Sequence, residues 1–136
     1  MNHHRILFVD DDAKLLAAFQ RTFRREFTFD TAIGGEEALQ ILAKQGTYAL
    51  LVVDMQMPLM DGIEFLEQAR LVAPHAVIIM LTGNSDQQTE AEAFNRGHVF
   101  KFLSKPCPPE MLLPAIRCGL EKFERQSRDQ ELCGER

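Results

Sequence analysis

Residues 49–54 read ALLVVD, an unbroken apolar run that ends in one acidic residue. A strand that is apolar on both faces is expected where helices cover both sides of a sheet. Ile6 to Val9 and Val77 to Leu81 have the same character. The three runs therefore predict the buried centre of a parallel sheet.

Amphipathic segments separate these runs along the chain. Two further strands are predicted over Phe27 to Thr31 and Val99 to Leu103. Helical spacing of apolar residues predicts helices over Asp12 to Arg25, Gly35 to Gln45, a stretch with Asp61 as its N-cap, Ser85 to Arg96, and a last segment from near Pro109. A parallel sheet with helical crossovers requires this alternation of strands and helices. The predicted fold class is therefore α/β with a doubly wound, five-stranded parallel sheet.

The composition is that of one ordinary globular domain. The chain has 136 residues, of which 46% are apolar and 26% charged, and its formal net charge is −5. An acidic chain lacks the basic face that sequence-independent nucleic-acid binding needs. The chain shows neither an apolar run of membrane-spanning length nor a signal peptide, which predicts a cytoplasmic protein without membrane contact. The cysteines Cys107, Cys118 and Cys133 are too widely spaced for a zinc site and are read as free thiols.

The C-terminal part of the chain differs in character from the rest. We predict one domain over residues 1–124, followed over 125–136 by a polar helical extension or linker, because that segment is polar and mixed in charge. Pro114 predicts a kink in the last helix if it lies beyond the first turn.

Chemically active side chains follow the predicted strands. In a doubly wound sheet, ligands bind at the carboxyl ends of the strands. Asp10 and Asp11 follow the first strand, Asp54 the third, Thr82 the fourth and Lys105 the fifth. Three converging carboxylates repel one another, and Mg²⁺, which prefers oxygen ligands, relieves that repulsion. The next residue along, Asp12, is instead predicted to cap the first helix.

These residue types suit phosphoryl transfer. A carboxylate can attack phosphorus once the charge on the transferring group is neutralised, which a metal ion and Lys105 would do. Thr82 would offer a hydroxyl to a phosphoryl oxygen. An isolated lysine or threonine is ordinarily a surface residue, so the prediction rests on the whole constellation.

Four runs of sequence resemble a known family. They are FVDDD at 8–12, VVDMQMPLMDG at 52–62, LTG at 81–83 and FLSKP at 102–106. Over about residues 5 to 123 the chain is similar to response-regulator receiver domains (CheY-like) of two-component signalling. This resemblance implies a flavodoxin-like (βα)5 fold with strand order 2-1-3-4-5.

The resemblance also implies a role for each site residue. Asp54 is the phosphoacceptor, Asp11 a direct Mg²⁺ ligand, and Asp10 a ligand that acts partly through water. The backbone carbonyl of Gln56 completes the protein ligands, and Mn²⁺ is expected to substitute for Mg²⁺. The side chains of Gln56 and Asn84 are expected to modulate how quickly water removes the phosphoryl group, with plain surface variation as the alternative.

The remaining implied residues form the switch. Lys105 binds the phosphoryl group, and the bond between Lys105 and Pro106 is expected to be cis. Thr82 is expected to move toward the phosphoryl oxygens while Phe102 rotates into the space that it leaves. Phosphorylation would thereby bias a two-state equilibrium, read out on the face formed by the fourth predicted helix, the fifth strand and the last helix.

The resemblance names classes of partner. The phosphoryl donor is a sensor histidine kinase or a histidine phosphotransfer protein, and the switching face acts on an output domain or a protein partner, with homodimerisation left open. The run NRGHVFKF at 95–102 is about one residue longer than usual. In this it resembles receivers attached to HD-type cyclic-di-GMP phosphodiesterases, or those within hybrid sensory proteins.

Two other functions are compatible with parts of this pattern. Haloacid-dehalogenase-type phosphatases also place Asp-x-Asp after their first strand, as Asp10 to Asp12 does, but residues 106–120 supply no later acidic pair and the chain leaves no room for a cap domain. A receiver fold that acts only as a passive interaction module is disfavoured because every chemical residue is present. The sequence therefore predicts a phosphoacceptor switch rather than an enzyme acting on a separate substrate.

Overall fold

A computed structural model of the chain describes residues 4–45, 47–55, 62–83, 99–105 and 107–133. Its strands are β1 (Arg5–Asp10), β2 (Thr28–Ile33), β3 (Leu50–Asp54), β4 (Val77–Thr82) and β5 (Lys101–Ser104). Its helices are α1 (Ala13–Phe23), α2 (Gly35–Gln45), α3 (Gly62–Val72) and α4 (Pro109–Cys133). The predicted N-cap Asp61 and the predicted helix Ser85 to Arg96 lie outside the described residues.

The five strands form one parallel sheet in the order β2-β1-β3-β4-β5. This confirms the predicted fold class and strand order. Every residue of β3 and β4, and all but the first of β1, is buried, whereas the edge strands β2 and β5 are largely half-buried or exposed. Unbroken apolar runs therefore marked the central strands correctly.

Both edge strands begin later than predicted. The N–H of Phe27 donates to the carbonyl of Phe23 at 3.1 Å, so Phe27 closes the turn after α1 and β2 starts at Thr28. The predicted fifth strand began at Val99, but pairing with β4 begins at Lys101. Edge strands have one neighbour instead of two, so a local apolar pattern locates their ends poorly.

The helix ends follow local chemistry. The carboxylate of Asp12 caps α1 by accepting from the N–H groups of Lys14 and Leu15, as predicted. α3 ends at Val72, ahead of Pro74. Pro114 lies inside α4, which nevertheless continues as helix to Cys133, so part of the predicted extension over 125–136 is helical.

The sheet divides the apolar core into two clusters. One side, covered by α2 and α3, buries residues such as Val53, Phe65 and Met80. The other side, covered by α1 and α4, buries Phe8 and Leu112 among others. In the part of the chain that the structure describes, no helix is both long and apolar enough to cross a membrane.

Candidate functional site: an acidic cluster at the strand ends

Three carboxylates meet at the carboxyl edge of the sheet. Asp10 is the last residue of β1 and Asp54 the last of β3, and these strands pair through Val9 and Val53 just before them. Asp10, Asp11 and Asp54 each offer a carboxylate oxygen, and these oxygens lie within 4.8 Å of one another. Asp10 and Asp54 are each only 2% exposed, whereas Asp11 faces solvent.

Lys105 places one positive charge between the two buried carboxylates. Its Nζ lies 3.3 Å from Asp10 Oδ2 and 3.2 Å from Asp54 Oδ2. Its backbone N–H donates to the carbonyl of Thr82 at 2.8 Å, which extends the β4–β5 pairing by one residue and directs the lysine to the strand ends. The predicted convergence of lysine and acidic residues is therefore present in the fold.

The pKa values reflect this arrangement. Burial raises the pKa of the Asp10 carboxyl above its ordinary value, although the Asp12 N–H and the Lys105 charge oppose the change. Burial lowers the pKa of Lys105, but the carboxylates of Asp10 and Asp54 outweigh burial and leave it raised. Lys105 therefore stays charged at neutral pH.

The donor set fits a divalent cation. One ammonium group offsets the charge of only one of the three carboxylates, so the cluster keeps excess negative charge. Asp10 Oδ2 is buried and forms an ion pair with Lys105. Within the described ranges it accepts no hydrogen bond. Carboxylate oxygens are the ligands that Mg²⁺ prefers, so these residues could hold it.

Thr82 occupies the other face of the sheet. Along β4 its side chain alternates with that of Leu81 and falls on the side of Met80, whereas Asp10 and Asp54 alternate onto the opposite side. Thr82 is 2% exposed, and among the residues described here its hydroxyl has no hydrogen-bond partner. A buried hydroxyl without a partner is costly, so a ligand oxygen within reach would stabilise it.

Phe102 lies close to Thr82 on the same face. It pairs with Met80 across β4 and β5, is half-buried, and packs against the cluster under α2 and α3. The predicted exchange of position between Thr82 and Phe102 stays a prediction. Gln56, Asn84 and Pro106 lie outside the described residues, so their predicted roles also stay predictions.

Sequence reasoning missed an apolar groove beside the acidic cluster. We call it the α1 groove: a cavity of 660 Å³ lined by Leu15, Ala18, Phe19, Leu81, Cys107, Pro108 and Pro109, with Asp12 and Lys105 at its rim. Leu15 and Phe19 belong to the apolar stripe whose helical spacing predicts α1. Helical periodicity could not show that part of this stripe faces a groove, because the loop that forms the other wall is distant in sequence.

Comparison with known proteins decides the family. Residues 6–117 match the response regulator receiver domain. The chain belongs to this family. A receiver domain is a signalling switch of two-component systems, so the predicted resemblance is confirmed.

Particular relatives show the same relationship. The hydrogenase transcriptional regulatory protein HoxA of Cupriavidus necator is 29% identical over 116 residues, which are 85% of this chain and 24% of HoxA. The first curated relatives are all much longer than this chain, which spans about a quarter to a third of several of them. The activity of any larger protein is therefore a separate question from that of the receiver.

Two solved structures resemble the whole domain. A crystal structure of adenylate cyclase from Rhodopirellula baltica is 40% identical with a TM-score of 0.92, and the match covers all of both chains. The signal receiver domain of an HD domain-containing protein from Pseudomonas fluorescens Pf-5 is 31% identical with a TM-score of 0.84, covering 91% of this chain and 99% of that one. The second agrees with the predicted likeness to HD-linked receivers, whereas the first was not anticipated.

Proposed function

We propose that Asp54 accepts a phosphoryl group from a phosphohistidine of a sensor kinase or a histidine phosphotransfer protein. The observation that carries the proposal is the ion pair between Lys105 and Asp54 inside a cluster of three carboxylates at the strand ends. Asp11, Asp10 and the backbone carbonyl of Gln56 would hold Mg²⁺, with Mn²⁺ as a substitute.

The reaction is a transfer of one phosphoryl group between two side chains. A carboxylate oxygen of Asp54 forms a bond to phosphorus as the bond from phosphorus to the histidine nitrogen breaks. Lys105 follows the incoming group, because its ammonium already lies 3.2 Å from the accepting carboxylate. Bound Mg²⁺ supplies charge neutralisation for the phosphoryl oxygens.

The hydroxyl of Thr82 is the proposed sensor of the new group. It is buried and without a hydrogen-bond partner in the described part of the chain, so a phosphoryl oxygen would give it an acceptor. Movement of Thr82 would leave space on the face that it shares with Phe102, and Phe102 would turn into that space. The edge strand β5 and helix α4 would transmit the change to an output domain, a protein partner or a second copy of the chain.

The phosphodonor protein is proposed to bind at the α1 groove. Asp12 and Lys105 line both the α1 groove and the cavity around the acidic cluster, so a protein that brings phosphohistidine to Asp54 would lie against the groove. Its apolar walls offer the desolvated contacts that hold a protein partner. We propose a cytoplasmic receiver over residues 1–124, followed over 125–136 by a polar helical extension or linker.

A small-molecule phosphodonor tests the acceptor without a kinase. Acetyl phosphate with Mg²⁺ should add one phosphoryl group, and borohydride reduction of the acyl phosphate followed by peptide mass analysis should locate it on Asp54. Asp54→Asn should abolish the labelling, whereas the control Asp30→Asn, remote from the cluster, should leave it intact. Label on Asp10 together with turnover of phosphate monoesters would support the phosphatase instead.

The metal site and the switch have their own tests. Mg²⁺ should raise the thermal stability of the protein because it binds the folded cluster and binds little to the unfolded chain, and Asp11→Asn should abolish that gain.

Addition of beryllofluoride with Mg²⁺ should shift the amide signals of Thr82 and Lys105. Unchanged signals would favour a passive interaction module.

A further inference from the structure

Asp12 lies outside the proposed ligand set, but its backbone is fixed against that set. It is the N-cap of α1, with an extended conformation (φ −100°, ψ 102°). Its Oδ1 accepts hydrogen bonds from the N–H groups of Lys14 at 3.0 Å and Leu15 at 3.3 Å, and its carbonyl accepts from Leu16 at 3.1 Å. Three contacts to the first turn of α1 thus hold the backbone of Asp12 in one orientation.

That orientation directs the N–H of Asp12 back toward the end of β1. The N–H donates to Asp10 Oδ1 at 2.9 Å. The other oxygen of the same carboxylate, Oδ2, is thereby left facing Lys105 at 3.3 Å and the acidic cluster. One oxygen of Asp10 is fixed by the cap, and the second is presented to the site.

We propose that Asp12 is a positioning residue for metal binding: its capping carboxylate holds the β1–α1 turn so that Asp10 presents Oδ2 to the cation. This inference rests on the proposed function, since it requires that the cluster binds Mg²⁺. Partners that orient a metal ligand commonly change metal affinity about 10- to 100-fold when they are lost.

Two effects of Asp12 must be separated experimentally. Its exposed carboxylate lines the same cavity as Asp11, Asp54 and Lys105, so its negative charge also attracts a cation. Asparagine caps a helix as well as aspartate but is neutral, whereas alanine neither caps nor carries charge. Asp12→Asn and Asp12→Ala therefore differ mainly in the cap.

The experiment is a titration of each variant with MgCl2. Isothermal calorimetry measures the Mg²⁺ affinity, and the melting temperature measures the stabilisation by Mg²⁺. Asp12→Ala should bind Mg²⁺ about ten-fold more weakly than Asp12→Asn, the lower end of the range for orienting partners. Tyr48→Phe removes a hydrogen bond to Asp30 that lies away from the cluster, and should keep the parental Mg²⁺ affinity. This control separates general destabilisation from an effect on the site.

The possible outcomes lead to different conclusions. Equal Mg²⁺ affinity of the alanine and asparagine variants overturns the positioning role, even if the alanine variant melts earlier without metal. A parent protein that gives no response to Mg²⁺ overturns the proposed metal site and this inference with it. If Asp12→Ala does not fold, Asp12→Gly, which lacks the capping oxygen but tolerates the N-cap backbone, takes its place in the same comparison.

Discussion

Lys105 Nζ lies 3.2 Å from Asp54 Oδ2, so the proposed phosphoacceptor is paired with a counter-charge. The same ammonium lies 3.3 Å from Asp10. The ammonium of Lys105 thus forms ion pairs with two buried carboxylates. A cation that binds the cluster would compete with this ammonium for the carboxylate oxygens.

We predict that Lys105→Met destabilises the metal-free protein by about 1–3 kcal/mol, because two buried carboxylates lose their counter-charge. The stabilisation gained from Mg²⁺ should grow, because the ammonium no longer competes for the same oxygens. Chemical denaturation with and without MgCl2 measures both effects. Lys101→Met, on the exposed start of β5, is the control and should change neither quantity. A smaller gain from Mg²⁺ in Lys105→Met would show that the lysine assists metal binding.

Thr82→Val should stabilise the unphosphorylated protein by about 1 kcal/mol, because it removes a buried hydroxyl without a partner and nearly preserves side-chain shape. The same change should remove the beryllofluoride-dependent shift of Phe102 signals in NMR spectra. Thr31→Val, which loses the contact between Thr31 and Gln20, should instead leave that shift intact. Destabilisation by Thr82→Val would mean that its hydroxyl already has a partner.

Ala18→Glu should weaken transfer from a phosphoprotein donor roughly ten-fold, because a charge is placed in the apolar wall of the α1 groove. Phosphorylation by acetyl phosphate should stay unchanged, because a small donor does not need the groove. Separate phosphotransfer assays, one with each donor, measure the difference. Leu71→Glu, on an exposed position of α3, provides the matched control. Equal loss with both donors would place the effect on Asp54 itself.

Tyr48 provides a pH-dependent reporter of the folded state. Burial, and then the Asp30 carboxylate that its hydroxyl contacts at 2.6 Å, raise the pKa of Tyr48 to about 12 from the ordinary value of 10.0. The folded state therefore holds this proton more tightly than the unfolded chain, so its contribution to stability is complete below pH 10 and is lost as pH rises toward 12.

Because Tyr48 is the only tyrosine and the chain has no tryptophan, ultraviolet absorbance reports its ionisation directly. The absorbance midpoint should lie near pH 12, and Asp30→Asn should lower it. Tyr48→Phe should cost about 1 kcal/mol at neutral pH and remove the alkaline loss of stability. A midpoint at the ordinary value would contradict the buried contact with Asp30.

The sequence was most informative where a local pattern has one structural solution. Apolar runs with no polar face marked β1, β3 and β4, because only a strand covered on both sides accepts them. Asp10 ends β1 and Asp54 ends β3, so both residues lie at the carboxyl edge of the sheet. The ends of β2 and β5 were misplaced, because they depend on pairing with a single neighbour rather than on local pattern.

The sequence by itself determined which residues stand at the carboxyl ends of the strands, and therefore that the carboxylates of Asp10, Asp11 and Asp54 meet Lys105 there. Only the tertiary structure decided that Lys105 contacts Asp10 as well as Asp54, that Thr82 alternates onto the opposite face, and that α1 and the loop before α4 enclose a groove. The physical reason is that the end of a strand is a local property, whereas distances between side chains depend on register and packing between segments far apart in the chain.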